Sequence, residues 1–208
     1  VGSEMCIRDR LKWISEDQIG KIKYIYASFS FNGTDRSHDS RLFNLEKGGG
    51  SLLDIGIYPL FLSYQLLGYP ISIISDSIKS ETGVDKQMAM IFSYKDSQAL
   101  LYSSFSHNED MRAKICGEKG EIYIDSRWHQ SKSITLSNNK KTKKKIEFMG
   151  KGYVYEIMES NKCIREKRIE SNKWTHKNSL DLVKLMDTVR AQNNICLLYT
   201  SDAADDLI

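Results

Sequence analysis

The sequence is poor in the features that mark several classes of protein. It has four cysteines and two prolines in 208 residues, and its formal net charge is only +3. No run of about 18 apolar residues occurs, so a membrane-spanning helix is not expected. The small charge gives no reason to expect nucleic acid or a membrane as partner. Cys116 and Cys163 lack metal-type spacing and the histidines are scattered, so we predict no metal and a reducing, cytoplasmic location.

The two ends differ from the rest of the chain. Residues 1–10 (VGSEMCIRDR) and 196–208 (CLLYTSDAADDLI) show no convincing periodicity or capping pattern. They are similar to translated sequencing-adapter read-through, and we expect both to be non-native. The alternative is a genuine tail without a partner in the fold. We therefore expect a fragment of a longer protein, in which residues 11–19 end a linker helix.

The remaining residues have the composition of one folded domain. Hydrophobic residues make up 40% and charged residues 27% of the chain, which is ordinary for a globular protein. Alternating segments with short connections predict strands, and 3.6-residue periodicity predicts helices. The predicted fold class is α+β: a mostly antiparallel open sheet with helices packed on one face. The predicted strands are 21–31, 71–79, 86–94, 98–106, 112–116, 120–124, 133–136 and 145–148, and the predicted helices are 48–67, 153–166 and 179–192.

The segment 48–59 (GGGSLLDIGIYP) carries the clearest chemical signal. Asp54 and Tyr58 stand four residues apart, so a helix presents a carboxylate and a phenol on the same face. One group can hold a substrate hydroxyl while the other moves a proton. Pro59 removes a backbone hydrogen bond and predicts local irregularity here. The alternative is a buried helix with a glycine-rich start.

The same segment resembles the signature of the Gfo/Idh/MocA family of NAD(P)-dependent oxidoreductases. It is most similar to the branch of dimeric dihydrodiol dehydrogenases and NADP-dependent xylose dehydrogenases. The resemblance implies that residues 20–195 form the substrate-binding and oligomerisation domain of a two-domain dehydrogenase whose Rossmann domain is absent here. Further segments that resemble this second domain are 19–22 (IGKI), 81–85 (ETGVD), 116–122 (CGEKGEI) and 152–156 (GYVYE).

The resemblance implies a cofactor, NADP or NAD, bound mainly by the missing domain. No G-x-G-x-x-G follows a strand, and glycines 48–50 lack that spacing. We therefore expect the fragment alone to be inactive. The implied substrate is a small polyhydroxy molecule (a sugar, polyol or dihydrodiol), and the implied assembly is a homo-oligomer, such as a dimer, formed through the sheet. The alternative is a non-catalytic binding or dimerisation module of the same fold.

The resemblance also assigns roles to individual residues. Tyr58 stands where the branch has its catalytic tyrosine, and a lysine from the missing domain would lower the pKa of its phenol from about 10. Asp54 would accept a hydrogen bond from a substrate hydroxyl or orient that lysine. Arg41 and His38 are further substrate-binding candidates, with a surface salt bridge and a solvated turn as the alternatives. The lysine-rich run 140–145 is interpreted as a solvated hairpin loop, because a nucleic-acid patch would carry interleaved aromatics.

Overall fold

The computed structural model describes residues 4–145 and 153–196, with side chains from residue 9 onward. A π-helical segment, Leu52–Gly56, directly precedes the second helix. None of the described helices is both long and apolar enough to cross a bilayer. The elements follow in the order α1 (Glu4–Ser15), β1 (Ile22–Ser30), α2 (Ile57–Leu67), β2 (Ser72–Lys79), β3 (Asp85–Ser93), β4 (Gln98–Ser104), β5 (Ala113–Gly117), β6 (Glu121–Ile124), β7 (Ser133–Ser137), β8 (Lys141–Lys145), α3 (Val154–Arg165) and α4 (His176–Gln192).

All eight strands belong to one sheet with the order β2-β3-β4-β1-β5-β6-β7-β8. Neighbouring strands are antiparallel except β1 and β4, which pair in parallel from Tyr24 opposite Gln98 to Ser30 opposite Ser104. A parallel pair needs a long crossover. Here the crossover contains α2 and the β2–β3 hairpin, so α2 lies against the middle of the sheet. The predicted α+β class, with a mostly antiparallel sheet, is confirmed.

The core lies between the sheet and the helices α2 and α4. Strand alternation points every second residue at the helices, and these residues are buried: Ile25 and Ala27 in β1, and Met88, Met90 and Phe92 in β3. On α4, Leu182, Leu185, Met186 and Val189 are buried at helical spacing. A second, smaller cluster of Phe43, Ile55, Val84 and Phe105 holds the loop after β1 against the sheet.

The opposite face of the sheet keeps large apolar side chains exposed. One row crosses four strands through register partners: Ile74 opposite Ile91, Ile91 opposite Leu100, and Leu100 opposite Tyr26. Their exposed fractions are 66%, 39%, 37% and 36% in the order Ile74, Ile91, Leu100 and Tyr26. We call these four residues the open-face row. Large contiguous patches of exposed apolar side chains on folded proteins commonly mark interaction surfaces.

The prediction for the lysine-rich run differs from the structure. The lysine run is not a loop, because Lys141–Lys145 form β8, an edge strand paired with β7. Charged side chains at an edge hinder pairing with another chain, and two of these lysines also bind carboxylates: Lys143 to Asp125 at 2.7 Å and Lys144 to Asp9 at 2.6 Å. Of the predicted strand 145–148, Lys145 is the last residue of β8, and residues 146–148 lie outside the described part of the chain.

Helix α1 includes residues that the sequence places in the non-native end. Arg10 is only 2% exposed, and its Nη2 donates to Gln65 Oε1 at 2.6 Å. The ion pair between Asp9 and Lys144 also joins α1 to the far edge of the sheet. The non-native origin of residues 1–10 and 196–208 stays a prediction.

Candidate active site

A glycine turn, rather than a helix, begins the segment that carries Asp54 and Tyr58. The predicted helix 48–67 was wrong at its start, because Gly48 has φ 65° and Gly50 has φ 122°. L-amino acids with a side chain rarely adopt such values. Gly49 is also closely packed, since a Cβ there would lie 2.8 Å from the carbonyl oxygens of Asn44 and Leu42. Regular helical structure starts after this turn.

The predicted irregularity around Pro59 takes the form of a π-helical turn. Leu52–Gly56 is π-helical, and α2 begins at Ile57. Pro59 is the third residue of α2 and is buried. Proline has no N–H to donate to the preceding turn, which fits a change in hydrogen-bond pattern just before it. Single π turns inside helices occur frequently at functional sites, and this one contains Asp54.

Asp54 is paired with Arg41. Arg41 Nη2 lies 2.5 Å from Asp54 Oδ1, and the side chains are 64% and 19% exposed, respectively. The salt bridge predicted as the alternative role of Arg41 is therefore formed, with Asp54 as the partner. Within the described residues, Asp54 Oδ2 makes no hydrogen bond. This oxygen is free to accept a hydrogen bond from a ligand hydroxyl.

Tyr58 lies against two other rings. Its ring centroid is 5.3 Å from that of Phe29 and 5.6 Å from that of His129. Burial raises the pKa of the Tyr58 phenol, and the nearby Asp54 carboxylate and Tyr153 raise it further. The Asp54 carboxylate thus acts electrostatically on the Tyr58 phenol, as their spacing predicts. With this chain's groups alone, Tyr58 stays protonated at neutral pH and can act as a proton donor.

His129 is a site residue that the sequence analysis missed. It lies in the short 3₁₀ helix Trp128–Gln130, which the buried Trp128 fixes to β1 by donating from Nε1 to the Ser28 carbonyl at 2.7 Å. The imidazole stacks on Phe29 with a centroid distance of 4.2 Å and an interplanar angle of 15°. Burial, aided by the charge of Arg127, lowers the pKa of His129 to about 4. The imidazole is therefore neutral beside Tyr58 at physiological pH.

His38 is not joined to the other predicted residues. Its Nε2 lies 3.9 Å from Glu81 Oε2, and both side chains are largely exposed. In the described part of the chain it makes no hydrogen bond, ion pair or ring contact with Arg41, Asp54 or Tyr58. Its role in substrate binding stays a prediction that this geometry does not strengthen.

The glycine turn does not fit the pyrophosphate of a nicotinamide cofactor. A phosphate-binding loop directs free backbone N–H groups at an anion. Here the turn already faces a carboxylate of this chain, since Asp85 Oδ2 accepts from Leu52 N at 2.7 Å. A second anion would be repelled from the same place. Nor does any group of three or more His, Cys, Asp or Glu gather as a metal site would among the side chains that the structure describes, those of residues 9–145 and 153–196.

Comparison with known proteins identifies the class of this chain. Residues 8–123 match the model of the GFO/IDH/MocA C-terminal domain. The chain therefore belongs to the GFO/IDH/MocA family, and the matching part is that family's C-terminal domain.

Two curated relatives are dehydrogenases. The chain is 32% identical over 189 residues to trans-1,2-dihydrobenzene-1,2-diol dehydrogenase of Xenopus tropicalis. The aligned region covers 86% of this chain and 56% of the relative. It is 30% identical over 164 residues to the NADP(+)-dependent scyllo-inositol 2-dehydrogenase IolU of Bacillus subtilis, covering 78% and 49%. The chain spans about half the length of these relatives.

A solved structure shares the fold. KijD10, a 3-ketoreductase from Actinomadura kijaniata in complex with NADP and TDP-benzene, superposes with a TM-score of 0.76 at 18% identity. The match covers 89% of this chain and 58% of that one. The sheet with α2 packed across it is therefore the fold of an oxidoreductase domain. The names of the two curated relatives describe dehydrogenases of a diol and of an inositol, and NADP is named for IolU and in the KijD10 complex.

Proposed function

We propose that the full-length protein is an NADP- or NAD-dependent oxidoreductase acting on a CH–OH group of a sugar, polyol or dihydrodiol. In this proposal residues 20–195 form the substrate-binding and oligomerisation domain, and the cofactor is bound mainly by another domain. The glycine turn supports that division, because it faces Asp85 and has no place for a phosphate. The chain alone is then expected to be inactive.

One observation carries the proposal: a protonated phenol and a carboxylate lie together at an irregular helix start. In the reducing direction, Tyr58 would donate its phenolic proton to the carbonyl oxygen of the substrate, while the reduced nicotinamide would supply the hydride to the carbonyl carbon. In the oxidising direction, the phenolate oxygen of Tyr58 would accept the proton of the substrate alcohol. The burial that raises the Tyr58 pKa supports the donor role at neutral pH.

Asp54 and Arg41 would hold the polyhydroxy substrate. Asp54 Oδ2 is available to accept from a hydroxyl, and Arg41 fixes the carboxylate through Oδ1. Arg41 presents several donors in a rigid plane, and its exposed side chain has more of them than one carboxylate oxygen requires. His129 and Phe29 would form an uncharged aromatic wall beside Tyr58. This arrangement suits a neutral ligand that carries several hydroxyls.

Self-association through the sheet is the second part of the proposal. The open-face row presents four large apolar side chains on a face that no described helix covers. Burying such a row against a second copy would remove the apolar surface from water at about 25 cal/mol per Å². A cytoplasmic location is also proposed, supported by the free thiols Cys116 and Cys163.

The decisive experiment replaces the phenol alone. In the full-length protein with its cofactor domain, Tyr58→Phe keeps the ring in contact with Phe29 and removes only the hydroxyl. We expect kcat to fall about 100-fold or more, the usual contribution of an acid–base group. Tyr69→Phe, which changes a half-exposed tyrosine after α2, is the matched control and should retain parental activity.

Two results would contradict the proposal in different ways. A Tyr58→Phe variant within a few-fold of the parent would remove Tyr58 from catalysis. A parent that turns over no aldose, polyol or dihydrodiol with NADP or NAD would favour the non-catalytic binding or dimerisation module instead.

A further inference from the structure

Asp85 is a buried carboxylate beneath the turn that precedes Asp54. It is the first residue of β3 and only 1% exposed. Its Oδ2 accepts from the backbone N–H of Leu52 at 2.7 Å and from Ser51 Oγ at 2.8 Å. The first N–H groups of a helix have no partner within the helix, and a carboxylate is the strongest cap for them. Asp85 therefore fixes the start of the π-helical turn from outside it.

Gly50 shows how closely the turn is fitted to this carboxylate. A Cβ on Gly50 would overlap Asp85 Oδ1, and φ at Gly50 is 122°. The close approach and the backbone conformation independently require glycine here. Asp85 Oδ1 lies directly against the backbone of Gly50. We therefore expect a displacement of the carboxylate to displace the turn.

The contact continues to Asp54 through the backbone. The N–H of Asp54 donates to the carbonyl of Gly50 at 3.2 Å. On the same side, Ser51 Oγ lies 3.0 Å from Ser103 Oγ of β4, and a Cβ on Gly56 would lie 3.0 Å from that same Ser103 oxygen. The turn, the π-helical segment and the sheet thus meet at one small polar cluster. Its members are Gly50, Ser51, Asp85 and Ser103.

Among the residues that the structure describes, the Asp85 carboxylate forms no ion pair with a cationic side chain. The 50–52 turn and β4 present hydroxyls and amides, and β2 presents Lys79, whose Nζ is bound to the carbonyl of Asn194 at 3.0 Å. Burial raises the pKa of Asp85 to about 6, against the opposing effect of the hydrogen bonds from Leu52 and Ser51. A neutral side chain would avoid this cost of burial but would offer fewer acceptor sites to the same donors.

We propose that Asp85 is a positioning residue. Its carboxylate holds the Gly50–Leu52 turn in the conformation that places Asp54 and Tyr58 correctly relative to the substrate. The proposal rests on the proposed function, because it gives these two residues their task. Asp85 acts only through the turn and does not touch the substrate.

The first test needs no catalysis and uses the chain itself. Nuclear magnetic resonance would follow the Asp54 amide and the Tyr58 ring between pH 4.5 and 8. We expect both to shift with a midpoint near the Asp85 pKa of about 6. Asp85→Asn supplies one acceptor where the carboxylate supplies two, so its signals should be displaced and should lack this midpoint. Asp96→Asn, in the exposed β3–β4 turn, is the matched control and should behave as the parent.

The second test measures turnover in the full-length protein. Displacing reacting groups by about 1 Å can cost about 100-fold in rate, so Asp85→Asn should lower kcat tenfold to a hundredfold. In the parent, kcat should fall reversibly as the pH drops through about 6, and this limb should be absent in the variant. A merely structural cap would lower the melting temperature without removing that limb.

The outcomes separate the two proposals. Asp85→Asn with parental Asp54 and Tyr58 signals, or with parental kcat and pH profile, overturns the positioning role. If Asp85→Asn does not fold, Ser51→Ala removes one hydrogen bond to the carboxylate, and unchanged Asp54 and Tyr58 signals in that variant overturn it equally. If the full-length parent has no oxidoreductase activity, the proposed function fails, while the resonance experiment still decides whether Asp85 positions the segment.

Discussion

Arg41 Nη2 and Asp54 Oδ1 lie 2.5 Å apart, which ties the loop after β1 to the π-helical turn by one ion pair. The two partners differ in exposure, since 64% of the Arg41 side chain but only 19% of the Asp54 side chain is open to solvent. The arginine is therefore the partner that can move, and the carboxylate is the fixed one. The loop itself is anchored next to Arg41 by Phe43, which is buried in the smaller core cluster.

We expect Arg41→Leu in the full-length protein to raise KM for its polyhydroxy substrate about tenfold, with a smaller change in kcat. A hydrogen bond to a charged group contributes about 1.5–3 kcal/mol, and its loss leaves Asp54 less well oriented to accept a hydroxyl. Stability should change by about 1 kcal/mol or less, because the arginine is exposed. Steady-state kinetics and urea unfolding measure the two effects.

Arg112→Leu is the control for that substitution. Arg112 forms an equally short pair with Asp110, Nη2 to Oδ2 at 2.5 Å, and its side chain is 64% exposed, as that of Arg41 is. An equal rise in KM for Arg112→Leu would show that loss of any surface arginine has this effect. It would then contradict a specific role for Arg41.

Gly50 and Gly48 offer a matched pair for stability. Both have positive φ, 122° and 65°, but a Cβ on Gly50 would overlap Asp85, whereas a Cβ on Gly48 would have nothing within 4 Å. We expect Gly48→Ala to cost about 1 kcal/mol, for backbone conformation alone. Gly50→Ala should cost roughly 3 kcal/mol or more, because strain and overpacking add. Chemical unfolding of both variants measures the difference. Equal losses in the free energy of unfolding would contradict the prediction, because they would mean that Asp85 can move away from the new Cβ without destabilising the fold.

The parts of the fold that follow from local pattern were predictable. Alternation in 21–31 and 86–94 predicted β1 and β3, and helical spacing of Leu182, Leu185, Met186 and Val189 predicted α4. The same periodicity placed Asp54 and Tyr58 on one helical face, and the effect of the Asp54 carboxylate on the pKa of Tyr58 agrees with that. Such features depend on residues within one element, so the sequence alone contains the information.

The features that were missed depend on contacts between distant elements. The start of the helix segment is fixed by Asp85, which lies 35 residues after Gly50 in the sequence but contacts it in the fold. His129 reaches Tyr58 because Trp128 is bonded to the Ser28 carbonyl, 100 residues away. The lysine run became β8 because β7 offered a partner edge. Charge pattern and periodicity say nothing about such partners.

The open-face row predicts how the protein associates. We expect Leu100→Asp to reduce the oligomer to a monomer, because the charge would enter the centre of the apolar row and would be costly to bury. Ile169→Asp is the matched control: Ile169 is 89% exposed but lies outside the sheet, and its replacement should leave the oligomer intact. Light scattering coupled to size-exclusion chromatography measures the mass. A parent that is itself monomeric, or two variants with the same mass as the parent, would refute association through this face.

His129 predicts an acid-sensitive contribution to stability. Its pKa in the folded protein is about 4, below the ordinary value of 6.5, because burial disfavours the charged imidazolium. The unfolded chain therefore binds a proton at higher pH than the folded one, so the contribution of His129 is intact above about 6.5 and is lost as the pH falls from there through about 4.

His129→Phe tests this, because phenylalanine can keep the stack on Phe29 but cannot take up a proton. Urea unfolding at pH 7.5 and pH 4.5 should show a smaller loss of stability in the variant than in the parent. The His129 ring signal in the parent should titrate with a midpoint near 4. If the two proteins lose equal stability between these pH values, or if the ring titrates near 6.5, the imidazole is not held neutral beside Tyr58, and the uncharged wall of the proposed substrate site is wrong.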